Sequence, residues 1–84
     1  MNSLAFEVTT QAVVNVLRSN RGRFITSNGK STEAVANEAF EDLDVDLIVQ
    51  AALFGDDMDE QVDFAYDEIA RQLTEMGVFA SASQ

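Results

Sequence analysis

The apolar positions of this chain fall into short stretches of different period. Leu4, Phe6 and Val8 alternate with polar or small residues, a period of two that predicts a short extended segment. Thr9 or Thr10 can then cap a helix, because a hydroxyl accepts from the free N–H groups of a first turn. Val13, Val16 and Leu17, helped by Val14, form the inner stripe of that helix, which ends near Ser19. Valine is a weak helix former, so packing must hold this element. Phe24 and Ile25 are the apolar anchors of the irregular "RGRFITSNGKS" and are expected to lie beside residues 4–8 as a minimal β pair. "SNGK" reads as a turn.

Ser31 or Thr32 caps a second helix, with Val35, Ala36, Ala39, Phe40 and Leu43 on one face. After a break at "DLDVD", Asp44 caps a third, with Leu47, Ile48, Ala51, Ala52 and Leu53 inward and Gly55 expected in the left-handed position past its end. The last helix has the clearest pattern. Asp57 followed by Glu60 predicts a capping box, and Val62, Ala65, Tyr66, Ile69, Leu73 and Met76 form a continuous stripe at helical period. Gly77 ends it, Val78 and Phe79 fold back, and residues 80–84 form a frayed tail. The fold expected is mostly α: one compact domain spanning residues 1–84, a bundle of about four short helices with a minimal β element near the N-terminus.

Composition removes several function classes. The 84 residues include no cysteine and no histidine. Disulfides, thiolate nucleophiles and imidazole bases or metal ligands are therefore excluded. No apolar run approaches the ~20 residues of a membrane span, and no charged, apolar leader opens the chain. The expected location is the cytoplasm, that of the host cell if the chain is phage-encoded.

Charge is the strongest asymmetry. Net charge is −10. Residues 1–30 carry four bases and one acid, or +3, whereas residues 31–84 carry fourteen acids and one base, or −13. From Glu41 to Glu68 there are eleven acids and no base. Such a field repels nucleic acids and anionic membranes and attracts basic surfaces.

Candidate chemistry can be tested against spacing. Asp42, Asp44 and Asp46 begin like a calcium loop, but the positions that need Gly and a closing Glu are Leu47 and Leu53. "NGKS" lacks the earlier glycine of a phosphate loop, because Phe24 stands there. Paired carboxylates need a pocket that separates their pKa values, and short helices offer little room for one. No catalytic, metal or cofactor residue is expected. Some acids suit helix starts, where the N–H groups and the dipole favour them. Asp42, Asp44 and Asp46 surround one start, and Asp56, Asp57, Asp59 and Glu60 the next. The surplus is more than capping needs. Phe64 lies off the Tyr66 stripe among Glu60, Asp63, Asp67, Glu68 and Arg71. It either packs on the N-terminal segment or serves as an aromatic anchor in an acidic surface.

A small, acidic, cysteine-free helical chain with "GDDMDEQVDFAYDEIARQL" in its C-terminal half resembles the small early proteins of phages and mobile elements. Some of that group are DNA-like in charge and block restriction or CRISPR machinery. The charge pattern, which this resemblance supports, leads to the expectation of a non-enzymatic inhibitor that occupies a basic nucleic-acid-binding groove of a protein, without touching nucleic acid itself. The resemblance maps no functional residue; from the charge and the aromatic anchor, the contact residues expected are Asp42, Asp44, Asp46, Asp56, Asp57, Asp59, Glu60, Asp63, Phe64, Asp67 and Glu68. The basic segment 18–30 departs from a pure DNA mimic. The alternative expectation is a small regulatory or adaptor module, including a homodimer that pairs the +3 and −13 segments head to tail.

Overall fold

In a computed structural model, the structure describes residues 6–19, 22–24 and 29–81; residues 22–24, 80 and 81 enter as backbone. Four helices and one strand pair follow in the order α1 (Thr10–Leu17), β1 (Gly22–Phe24), α2 (Thr32–Asp42), α3 (Val45–Ala52), α4 (Met58–Glu75) and β2 (Phe79–Ser81). The architecture is a small helical bundle, as its periodicity predicts.

α4 organises the packing, since α3, α1 and β2 all contact it, while α2 packs on α1. Five of the eight residues of α1 are buried: Ala12, Val13, Val14, Val16 and Leu17. Burial on that scale holds a helix that propensity disfavours. Its N-cap is Thr9, but the hydroxyl accepts no capping bond. Asn15, on the exposed side of α1, donates to the Tyr66 hydroxyl at 2.9 Å and ties α1 to α4. Val35, Ala36 and Ala39 of α2 are buried with Leu43 just beyond it, and Phe40 is half-buried against the same core.

The ends of the helices follow local rules. Ser31 accepts from Ala34 N–H at 3.1 Å, Asp44 from Leu47 N–H at 3.3 Å and Asp57 from Glu60 N–H at 2.9 Å. The expected capping box closes differently, because the Glu60 carboxylate accepts from Asp56 N–H rather than from Asp57. At the end of α4, Gly77 adopts φ +80°. There Val78 N–H reaches Leu73 O at 3.0 Å and Gly77 N–H reaches Thr74 O at 3.1 Å. These two bonds make a Schellman motif, which turns Phe79 into the core, where it is fully buried.

Four expectations are corrected. β1 pairs antiparallel with β2, in the register Gly22↔Ser81, Arg23↔Ala80 and Phe24↔Phe79, and not with residues 4–8. Phe6 and Val8 lie outside any strand and pack half-buried against the core; Leu4 and Ile25 lie outside the described residues. Residues 80 and 81 belong to β2 and are no frayed tail. Gly55 has no positive φ. It is buried where a Cβ would sit 2.6 Å from Gln61 N and 2.8 Å from Glu60 C, so close backbone approach is what requires it. Finally, Leu47 is 41% exposed rather than inward, and only Ile48 and Ala52 of α3 are fully enclosed.

Candidate interaction face

The start of α3 lies beside the last turns of α4, and its end lies nearer the middle of α4, so the two helices run antiparallel. Two features fix this. At the near end, Gln72 bonds to the backbone of Asp44. At the far end, Ala51 and Phe54 share an open groove of about 430 Å³ with Phe64, Asp67, Glu68 and Arg71.

On α4 the acids form a row. At about 100° per residue, Asp59, Glu60, Asp63 and Asp67 fall within an arc of about 100°, opposite the buried stripe of Gln61, Ala65, Ile69, Gln72 and Leu73. All four are exposed. They span about 12 Å of helix rise, one carboxylate per ~3–4 Å. Phosphates along one DNA strand repeat every ~3.4 Å of axis. Asp56 and Asp57, also exposed, extend the negative region beyond the start of α4.

Asp42, Asp44 and Asp46 do not join this row. They are exposed at the α2–α3 corner. There Asp42 and Asp44 share a second open groove of about 290 Å³ with Leu47, Arg71, Gln72, Glu75 and Met76. About fifteen residues of α4 separate that corner from Asp57, or some 22 Å of helix. The acids of residues 56–63 and those of residues 42–46 therefore form two groups toward opposite ends of the α3–α4 pair, with Asp67 between them. Glu68, half-buried, lies between them.

Arg71 lines both grooves. Its guanidinium donates to Glu68 and, at 2.9 Å, to Glu75. The Arg71 hydrogen bond holds the Glu68 carboxyl below the usual carboxylate range; burial opposes it, and a bond from Gln72 supports it. Arg71 is itself pushed upward, first by its bond to Glu68. Elsewhere Arg18 pairs with Glu33 at 2.9 Å and Lys30 with Glu38 at 2.6 Å. Both are solvent-exposed pairs of small energetic weight.

Phe64 keeps part of its ring at the surface. It is 37% exposed beside the acidic row, facing Ala51 and Phe54 across the groove. Phe54, which the helical stripes did not single out, is 82% exposed. Its signal was present in sequence: Leu47, Ala51 and Phe54 are spaced i, i+4, i+7, a second apolar stripe on α3. Among the described residues, no group of three or more Asp or Glu is arranged to hold a metal ion. Among the described residues, no helix is long and apolar enough to cross a membrane. In comparisons with protein families, curated proteins and solved structures, nothing matches this chain.

Proposed function

We propose that this protein is a non-enzymatic inhibitor that lays the outer face of α4 into a basic, nucleic-acid-binding surface of a host defence or DNA-handling complex. The observation that carries this reading is the density of Asp59, Glu60, Asp63 and Asp67, exposed carboxylates on one side of a helix whose mean axial interval, about 4 Å, is close to that of strand phosphates although the individual steps are uneven. A rigid helix presents them already ordered, so a groove shaped for a phosphate backbone loses little in accepting them. The net charge of −10 steers the encounter. The exposure of these groups and the absence of imidazole and thiol favour binding over catalysis.

The test is anisotropy of the labelled protein with an RNA-guided nuclease or restriction enzyme of basic groove. Duplex DNA should compete, and affinity should fall steeply between about 50 and about 500 mM salt. The D56N/D57N/D59N/E60Q/D63N variant should bind at least about a hundredfold more weakly. Asn and Gln retain the capping acceptors, so this variant keeps its helix starts. Binding that ignores salt, DNA and neutralisation alike would remove the proposal.

A second reading, a regulatory or adaptor module, draws on a different observation. All the exposed large apolar residues described (Leu47, Phe54, Met58 and Phe64) belong to α3, α4 and the turn between them. An adaptor would bind through those side chains, with the acids serving solubility and steering.

A further inference from the structure

The groove between the end of α3 and the middle of α4 is lined by apolar and acidic side chains together. Ala51, Phe54 and Phe64 supply the apolar surface, and Asp67 and Glu68 the carboxylates. We infer that this groove receives a large apolar side chain, aromatic or branched aliphatic, from a basic amphipathic helix of the partner, with Lys or Arg one turn to either side. This inference rests on the reading of the acidic face as a site for a basic protein, and adds a desolvated anchor to it.

Three observations select that occupant. First, Phe54 is 82% exposed at the end of α3, so a large apolar side chain is held in water with nothing of the described chain over it. Second, the groove is continuous with the acidic row, because Phe64 follows Glu60 by one turn and precedes Asp67 by three residues. A helix that places an apolar residue on Phe54 and Phe64 brings its neighbouring turns against carboxylates. Third, the charge argues against a second copy as occupant. Residues 31–84 carry −13, and two such faces repel. Arg71 does not reverse the sign at the groove, since Glu68 and Glu75 both hold its guanidinium.

Apolar contact and charge make separable contributions, because salt screens the second and leaves the first. The probe is a fluorescein-labelled helical peptide of about 18 residues, with Leu and Phe on one face and Lys on the other. A control peptide keeps every Lys and carries Ala on the apolar face. The first peptide should bind at about 300 mM salt, where the control binds at least about tenfold more weakly. Phe54→Ala and Phe64→Ala should each reduce binding of the first peptide about tenfold or more and leave the control unchanged. Because Phe54 is so exposed, Phe54→Ala should retain the wild-type circular dichroism and keeps the test valid if Phe64→Ala unfolds. Amide shifts on titration should centre on Ala51, Phe54, Phe64 and Asp67.

Equal binding of the two peptides, or full binding by Phe54→Ala, overturns the groove. So does a dimer in light scattering that Phe54→Ala dissociates, because a second copy then covers the groove. Effector binding separates this inference from the function it builds on. Loss in the neutralised acidic variant with full binding by Phe54→Ala removes the groove and leaves mimicry standing. Loss in Phe54→Ala with normal binding by the neutralised variant supports the groove and removes mimicry.

Discussion

Gln72 holds the backbone of Asp44, 28 residues away, by two hydrogen bonds: Asp44 N–H donates to Oε1 at 2.8 Å, and Nε2 donates to Asp44 O at 3.2 Å. Nε2 also donates to Glu68 at 2.9 Å. A side-chain amide presents one acceptor and two donors, and all three are used here. Gln72 is only 7% exposed, so the latch works in a setting where unpaired polar groups are expensive. It fixes the α2–α3 corner to α4, and with it the position of one of the two acidic groups.

Removing the amide should therefore destabilise the fold more than a surface change does. Gln72→Leu keeps the bulk and leaves Asp44 N–H without its partner. The expected loss is about 1–3 kcal/mol in urea unfolding. Gln72→Glu keeps an acceptor for Asp44 N–H but sets a second carboxylate against Glu68. It should be destabilising near neutral pH and recover as the solution is acidified.

The two glycines that bound α4 should fail for different reasons. Gly55→Ala places a Cβ within 3 Å of the Glu60 and Gln61 backbone, which must move; overpacking of this kind costs about 1–3 kcal/mol. Gly77→Ala meets no atom within 4 Å but is strained at φ +80°, at about 1–2 kcal/mol. Asparagine tolerates the left-handed region, so Gly77→Asn should recover part of that loss. Gly55→Asn should recover none. Chemical denaturation of the four variants distinguishes the cases.

Stability should depend on pH through Glu68. Its pKa is lowered in the folded state from the ordinary 4.5, so its ionised form is favoured by folding. That contribution is complete above the unfolded value and is lost as pH falls through the folded one. The melting temperature of wild type should exceed that of Glu68→Gln by a constant margin above the ordinary carboxylate range, with the gap closing as pH falls below that range. A gap that widens on acidification would contradict the Arg71–Glu68 account.

Acids at the start of α4 should separate into structural and non-structural members. Asp57→Ala removes the acceptor of Glu60 N–H, for an expected loss of about 0.5–2 kcal/mol, whereas Asp57→Asn should be nearly neutral. Asp59→Ala should shift stability by only the dipole contribution, about 0.3–1 kcal/mol. Thermal melts of the three proteins check this division. It also decides which acids remain available to a partner after the helix has used its share.

Much of this molecule was legible without coordinates. The caps at Ser31, Asp44 and Asp57, the turn at Gly77 and the apolar face of α4 all arise from interactions within about four residues, where sequence spacing and spatial neighbourhood coincide. Distance along the chain explains what was not legible. Residues 22–24 were expected beside residues 4–8, and it is the Schellman turn that buries Phe79 which delivers residues 79–81 as their partner. A glutamine within a helix reads as surface until the backbone it latches is brought beside it, which is the case for Gln72.

The candidate site divides in the same way. Sequence alone determined that four carboxylates of α4 share one side, because helical period places them there. Only tertiary structure decided that Asp42, Asp44 and Asp46 stand at the other end of the α3–α4 pair, since antiparallel packing sets their distance from Asp57. It likewise decided that Phe54 and Phe64 face one groove. Their sequence spacing carries no such signal, because they lie on different elements and meet only when α3 folds back along α4.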